Sequence, residues 1–212
     1  MSDLVFYTNP QSRGQTVRWM LEEVGRPYET EILDYGSTMK AEPYLSINPM
    51  GKVPAIRHNG KVVTEVAAIC CYLADAFPES RLAPPAGDRA DYYRWIFFTS
   101  GPVEAAFSNK AAGWEPTPER QRMFGYGNYD LAIDTLEKAL SGREFIAADH
   151  FTAADLFVGA NVNFMLAFKL LEPRPVFTDY AARMTDRDAY RRAKEIDSRL
   201  IAQSQPQQPQ PA

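Results

Sequence analysis

Lys52-Val53-Pro54-Ala55-Ile56-Arg57-His58-Asn59-Gly60-Lys61-Val62-Val63-Thr64-Glu65 is the stretch that decides the fold. Asn59-Gly60 stands between two β-prone runs at 53–57 and 61–64, and Asn-Gly is the strongest short hairpin signal because both residues accept positive φ. Glu65 then opens an amphipathic helix with Val66, Ile69, Cys70, Leu73, Ala74 and Phe77 on one face, ended by Pro78. An acid in a first helical turn is favourable with the macrodipole. A Val-Pro step opening an apolar run beside that helix start is the layout of a pocket for a small peptide, since it offers extended backbone groups next to a helix N-terminus.

Upstream, Leu4-Val5-Phe6-Tyr7 reads as a strand ended by Asn9-Pro10. Val17, Met20, Leu21 and Val24 follow the helical stripe, with Gly25 and Pro27 closing it. Its start, Ser12-Arg13-Gly14-Gln15, matches the S-x-x-Q capping box. Residues 28–33 alternate as a second strand, with Tyr28, Thr30 and Ile32 on one side. A weakly patterned connector follows, with one short helix expected over 39–45. The first part is therefore βαβ, connector, ββα: an α/β unit with a parallel pairing.

Downstream, residues 79–87 form a Pro-rich linker, and the character beyond changes to helices only. Helices are expected over 89–109, with a break at Gly101-Pro102, over 118–140, over 152–171, briefly near Asp179, and over 187–202. The third is nearly apolar throughout and starts with the cap Thr152-Ala153-Ala154-Asp155. The tail alternates Gln and Pro and reads as disordered. The expected division is 1–78, linker 79–87, an all-α domain over 88–202, and a tail over 203–212.

The 212 residues, 45% hydrophobic and 24% charged, have the composition of an ordinary globular protein. A formal charge of −4 argues against a nucleic-acid binder. No apolar run is long enough for a membrane span, and the N-terminus lacks a secretory pattern, so the cytoplasm is the expected compartment. Cys70 and Cys71 are adjacent and, placed mid-helix, read as small hydrophobes. With only His58 and His150 present, no metal is expected.

The chain resembles a bacterial-type cytosolic glutathione transferase. The resemblance is carried by Leu21-Glu22-Glu23-Val24-Gly25-Arg26-Pro27-Tyr28-Glu29, by Asn48-Pro49-Met50-Gly51-Lys52-Val53-Pro54, by Glu65-Val66-Ala67-Ala68-Ile69 and by Phe151-Thr152-Ala153-Ala154-Asp155. It implies a thioredoxin-like N-terminal domain, an all-helical C-terminal domain, a homodimer, and glutathione as co-substrate with a small hydrophobic electrophile. It implies a cis Val53-Pro54 bond, with Val53 offering backbone groups to the cysteinyl part of glutathione. Glu65 would hold the γ-glutamyl end. The family's following Ser is here Val66, which supplies only its backbone N–H. Lys40 and Lys52 would meet the glycine carboxylate. Thr152 and Asp155 match the family's helix-capping element.

The thiol-activating group has several candidates. A free thiol has a pKa near 8.5, and each unit of lowering requires about 1.4 kcal/mol of preferential thiolate stabilisation. Ser12, at a helix start, ranks first; Tyr7, at the end of the first strand, and Asn9 follow. Gln11 and Arg13 are further donors. Tyr92, Tyr93, Trp95, Phe98, Phe107 and Trp114 are expected to supply the electrophile pocket collectively. Alternatives to conjugation are glutathione-dependent peroxide or disulfide reduction, and a non-catalytic dimeric glutathione-binding protein.

Overall fold

The protein is described by a computed structural model covering residues 3–204. Its first part is a four-stranded sheet ordered β2-β1-β3-β4, made of β1 (Leu4–Thr8), β2 (Glu29–Ile32), β3 (Ala55–His58) and β4 (Lys61–Thr64). β2 runs parallel to β1, and the β3–β4 hairpin is antiparallel. Every residue of the central β1 is buried because both its faces are covered. Phe6 meets Tyr28 edge-on and lies under the Arg18 guanidinium. Val5 and Tyr7 pack with Leu33, Met39, Tyr44 and Ala55.

The hairpin turns where Asn59-Gly60 predicts, with φ of 50° and 75° at the two residues. The strand expected over 28–33 is shorter, and all four of its residues are exposed, since an edge strand has one neighbour. The helix expected over 39–45 is two 3₁₀ turns, Thr38–Lys40 and Tyr44–Ser46. Pro43 lies between them and has no N–H to continue a helical ladder.

Among the described residues, 3–73 together with 188–204 form one compact unit; Ala74–Arg187 form the other. The last helix, α8 (Asp188–Ser204), thus groups with the sheet, whereas the sequence division put 88–202 in one helical domain. The reason is α1 (Gly14–Val24). Arg18 Nε on α1 donates to Asp197 Oδ1 at 2.7 Å, with both side chains buried. Trp19 and Tyr190 meet edge-to-face at 5.0 Å. Removing α8 would strand a buried guanidinium without its carboxylate. α8 runs through Ser204, so Gln203 and Ser204 are helical and not part of a tail; residues 205–212, the rest of that expected tail, lie outside the described residues.

The second unit is helical. α2 (Val66–Ala76) leads into it and buries Ile69, Cys70, Leu73 and Ala74 as the stripe predicts. The break expected at Gly101-Pro102 is a π-turn, Thr99–Val103, between α3 (Ala90–Phe98) and α4 (Glu104–Ala111). The helix expected over 118–140 begins only at α5 (Tyr129–Leu140). Gly127, at φ 67°, turns the chain out of helical geometry, and Asn128 Oδ1 then caps the helix by accepting from Leu131 N–H at 2.8 Å. α6 (Ala153–Ala167) carries the expected capping box, and α7 (Pro175–Thr185) is longer than the short helix expected there.

Candidate functional site

The sheet register assembles the site. Tyr7 pairs with Ala55, and Ala55 pairs with Thr64. The end of β1, the start of β3 and the end of β4 therefore lie side by side. The loop over 9–13, the Val53-Pro54 step and the Glu65-Val66 corner all leave the sheet at that one end, although Asn9 and Val66 are 57 residues apart in sequence. Residues 7, 9, 12, 53, 54, 65 and 66 are brought together there.

The Val53-Pro54 peptide is cis, and the segment before it is pinned. The Lys52 carbonyl accepts from Tyr44 Oη at 2.5 Å and from Asn48 Nδ2 at 2.8 Å. Asn48 Oδ1 in turn accepts from Met50 N–H at 3.1 Å. Burial pushes the Tyr44 phenol up to about 12, so it remains a donor through the neutral range. Gly51 has φ 56°, and a Cβ there would stand 2.8 Å from the Met39 carbonyl, so only glycine fits. Val53 is half-buried, and its own N–H and C=O enter no backbone hydrogen bond among the described residues. Lys40 Nζ reaches the Met50 carbonyl at 3.1 Å, and Lys52 is exposed. Tyr44 and Asn48 went unassigned in the sequence; the Asn48-Pro49 turn signal alone marks one of them.

Glu65 has φ 67°, uncommon for a residue with a long side chain, and such a conformation stores roughly 1–3 kcal/mol that the surroundings must hold. Its carbonyl accepts the Ile69 N–H at 2.9 Å, which makes Glu65 the cap of α2. The first N–H groups of that helix, starting with Val66, have no intrahelical partner and face the cap. Glu65 is exposed.

The β1–α1 turn differs from the expected capping box. The cap position is Arg13, without a side-chain hydrogen bond to the helix. Ser12 Oγ donates to the Asn9 carbonyl at 2.6 Å and accepts from Gly14 N–H at 2.9 Å. Gln15 Nε2 donates to the Pro10 carbonyl at 2.7 Å and leaves the Ser12 N–H to Asn9 O. A one-turn loop thus competes successfully with the box for the same donors. A Cβ on Gly14 would collide with Thr8 Oγ1, so the helix starts close against β1. Asn9 is buried and ties two segments, donating to the Leu33 carbonyl at 2.9 Å and accepting from Gln11 N–H at 3.0 Å. Burial raises the Tyr7 phenol, partly opposed by Arg57, whose guanidinium lies 6.0 Å from the ring centre.

The six aromatics assigned collectively to an electrophile pocket separate into distinct ring contacts. Tyr92 meets Tyr93 at 5.4 Å, Trp95 meets Phe98 at 5.7 Å, Phe107 meets Phe164 at 6.2 Å and Trp114 meets Phe124 at 5.1 Å. Tyr92, Trp95 and Phe107 are core; Tyr93 and Trp114 are exposed. Cys70 is fully buried, which pushes its thiol well above the ordinary range. Among the described residues, no cluster of His, Cys, Asp and Glu has the arrangement of a metal site, and no helix is long and apolar enough to cross a membrane.

Residues 12–76 match the family model described as the glutathione S-transferase N-terminal domain. The chain is 28% identical over 202 residues to protein LigF of a Sphingobium species, covering 76% of each chain. It superposes on a glutathione transferase from Methylococcus capsulatus with a TM-score of 0.76 at 27% identity, covering 92% of this chain and 98% of that one. A sphingomonad glutathione S-transferase solved with glutathione gives a TM-score of 0.71 at 26% identity over 92% of this chain and 98% of its own.

Proposed function

Because the chain belongs to the glutathione S-transferase family, we propose that it transfers the thiolate of glutathione to a small apolar electrophile. The observation that carries this reading is the convergence at one end of the sheet of the Val53 backbone, the αL corner at Glu65 and the Ser12 turn. An extended tripeptide needs an in-plane donor and acceptor for its central amide, and Val53 offers both beside Pro54. Its γ-glutamyl end carries an ammonium and a carboxylate. Glu65 suits the first and the Val66 N–H the second. Lys40 and Lys52 suit the glycine carboxylate.

Ser12 is the proposed thiolate partner, with Tyr7 and Asn9 as alternatives. Its hydroxyl proton turns from the Asn9 carbonyl to the sulfur, while the oxygen keeps the Gly14 N–H; one hydroxyl can donate and accept together. The sulfur lone pair then forms the carbon–sulfur bond as the leaving group departs, with no covalent enzyme intermediate. The acceleration comes from ionisation and positioning. The same reading makes the protein a cytoplasmic homodimer, for which the exposed Tyr93 and Phe97, one turn apart on α3, supply an apolar stripe.

Millimolar glutathione is expected to raise the melting temperature, since a ligand bound only by the native state stabilises it by mass action. Turnover should then be seen with an aryl halide in preference to a mixed disulfide or hydroperoxide. Preference for the latter pair would make the protein a glutathione-dependent reductase. No thermal shift with glutathione would overturn both readings.

A further inference from the structure

We propose that Gln15, oriented by Lys194 of α8, is a positioning residue that sets the Pro10–Ser12 turn for thiolate binding. This rests on the reading above that the glutathione sulfur lies at Ser12. Both ends of the Gln15 amide are used. Nε2 donates to the Pro10 carbonyl at 2.7 Å, and Oε1 accepts from Lys194 Nζ at 3.1 Å. An ammonium only donates, so it fixes which end of the amide is oxygen; the nitrogen must then face the Pro10 carbonyl. Reversing the amide would set two donors against each other at one end and two acceptors at the other.

Pro10 lies inside the loop whose other carbonyl, Asn9 O, holds both the Ser12 hydroxyl and the Ser12 N–H. The amide therefore braces the same turn through the neighbouring carbonyl, that of Pro10. The helix that carries Lys194 is held against α1, because Asp197, one turn further along α8, is anchored to buried Arg18. A helix from the far end of the chain thereby reaches the loop that carries the thiolate partner. The ammonium also adds positive potential to that turn, a contribution that added salt would screen.

The test places a reporter at the turn itself. The variant Ser12→Cys introduces a thiol whose ionisation is read from the pH dependence of its alkylation, followed site-specifically by mass spectrometry. Adding Gln15→Leu is expected to raise that apparent pKa by about half a unit to one unit, a threefold to tenfold loss of thiolate below neutrality. Lys194→Met should give a smaller shift that vanishes at high salt, and Lys194→Arg should restore the parent value.

In the Ser12 protein, Gln15→Leu should lower kcat below neutral pH with little change in KM for glutathione, whereas a purely structural defect would lower the melting temperature and leave the pH profile in place. An unmoved reporter pKa in both Gln15→Leu and Lys194→Met overturns the proposal. A wild-type protein that binds no glutathione, while the reporter still responds to Gln15→Leu, removes the assigned ligand and leaves the bracing role standing.

Discussion

Two helices of this protein begin with the same kind of signature, and the structure uses them in opposite ways. At α6, Thr152 and Asp155 close the capping box completely. Asp155 accepts from Thr152 N–H at 2.9 Å and Thr152 Oγ1 at 2.9 Å, from Ile146 N–H at 2.7 Å and from Tyr180 Oη at 2.9 Å, and it is fully buried. At α1, Ser12 and Gln15 form no box; both side chains turn back to the loop carbonyls of Asn9 and Pro10, in a half-buried position. The first arrangement consumes its polar groups to fix the fold. The second leaves a half-buried hydroxyl in a turn, the one proposed above to meet the thiolate. An S/T-x-x-D/Q signature therefore does not by itself say whether the box closes; the competing loop carbonyls and the burial decide it.

The largest expected effect breaks the α6 side of this comparison. Asp155→Ala leaves four buried donors without an acceptor, and a network of that size costs about 3–5 kcal/mol, or roughly 10 °C in melting temperature. Thermal denaturation followed by circular dichroism reads it; a loss under a few degrees would mean that the network is replaceable. Next, Asp197→Ala strands the Arg18 guanidinium in the α1–α8 contact and should cost about 3 kcal/mol. Replacing both Arg18 and Asp197 with apolar residues of similar size should recover much of that loss in a double-mutant cycle.

Ser12→Ala sharpens the other side. The expected stability cost is only about 1 kcal/mol, while turnover below neutral pH should fall about tenfold if the bound thiol loses one unit of acidification. Equal loss of stability and activity would place Ser12 with Thr152 as a structural residue.

The smallest effect is a slope. Burial raises the Asp155 and Asp197 carboxyls above the ordinary range. The native state then binds more protons than the unfolded chain in the window extending upward from the ordinary Asp value near 3.9. Stability contributed by these groups therefore falls as pH rises through that window. Compared at successive pH values, Asp155→Asn should lose this part of the slope, and an unchanged slope would assign it to other groups.

Much of the fold was legible locally. The Asn59-Gly60 turn, the α2 stripe and the Thr152-x-x-Asp155 cap each depend on neighbours within a few residues, and each appears where its spacing places it. Residues 118–128 misled because Glu119, Arg120, Gln121 and Arg122 favour a helix, yet Gly127 and Asn128 set its start at Tyr129, eleven residues later. The Ser12 turn misled because a loop carbonyl and a helix N–H compete for one hydroxyl, and spacing does not say which wins. The α8 association with the sheet unit was invisible, since Arg18 and Asp197 are 179 residues apart. At the candidate site, the cis Val53-Pro54 bond and the place of Glu65 at the start of α2 were legible, while Tyr44 and Asn48, which pin the Lys52 carbonyl, act through backbone that sequence patterns do not mark.

The most direct measurement is a pH titration of the protein–glutathione complex, following the ultraviolet absorption of the thiolate. Convergence of the Ser12, Val53 and Glu65 segments on one tripeptide requires a bound thiol at least one unit more acidic than the free value near 8.5. A complex whose thiol titrates at the free value, or no complex at all, would contradict the account.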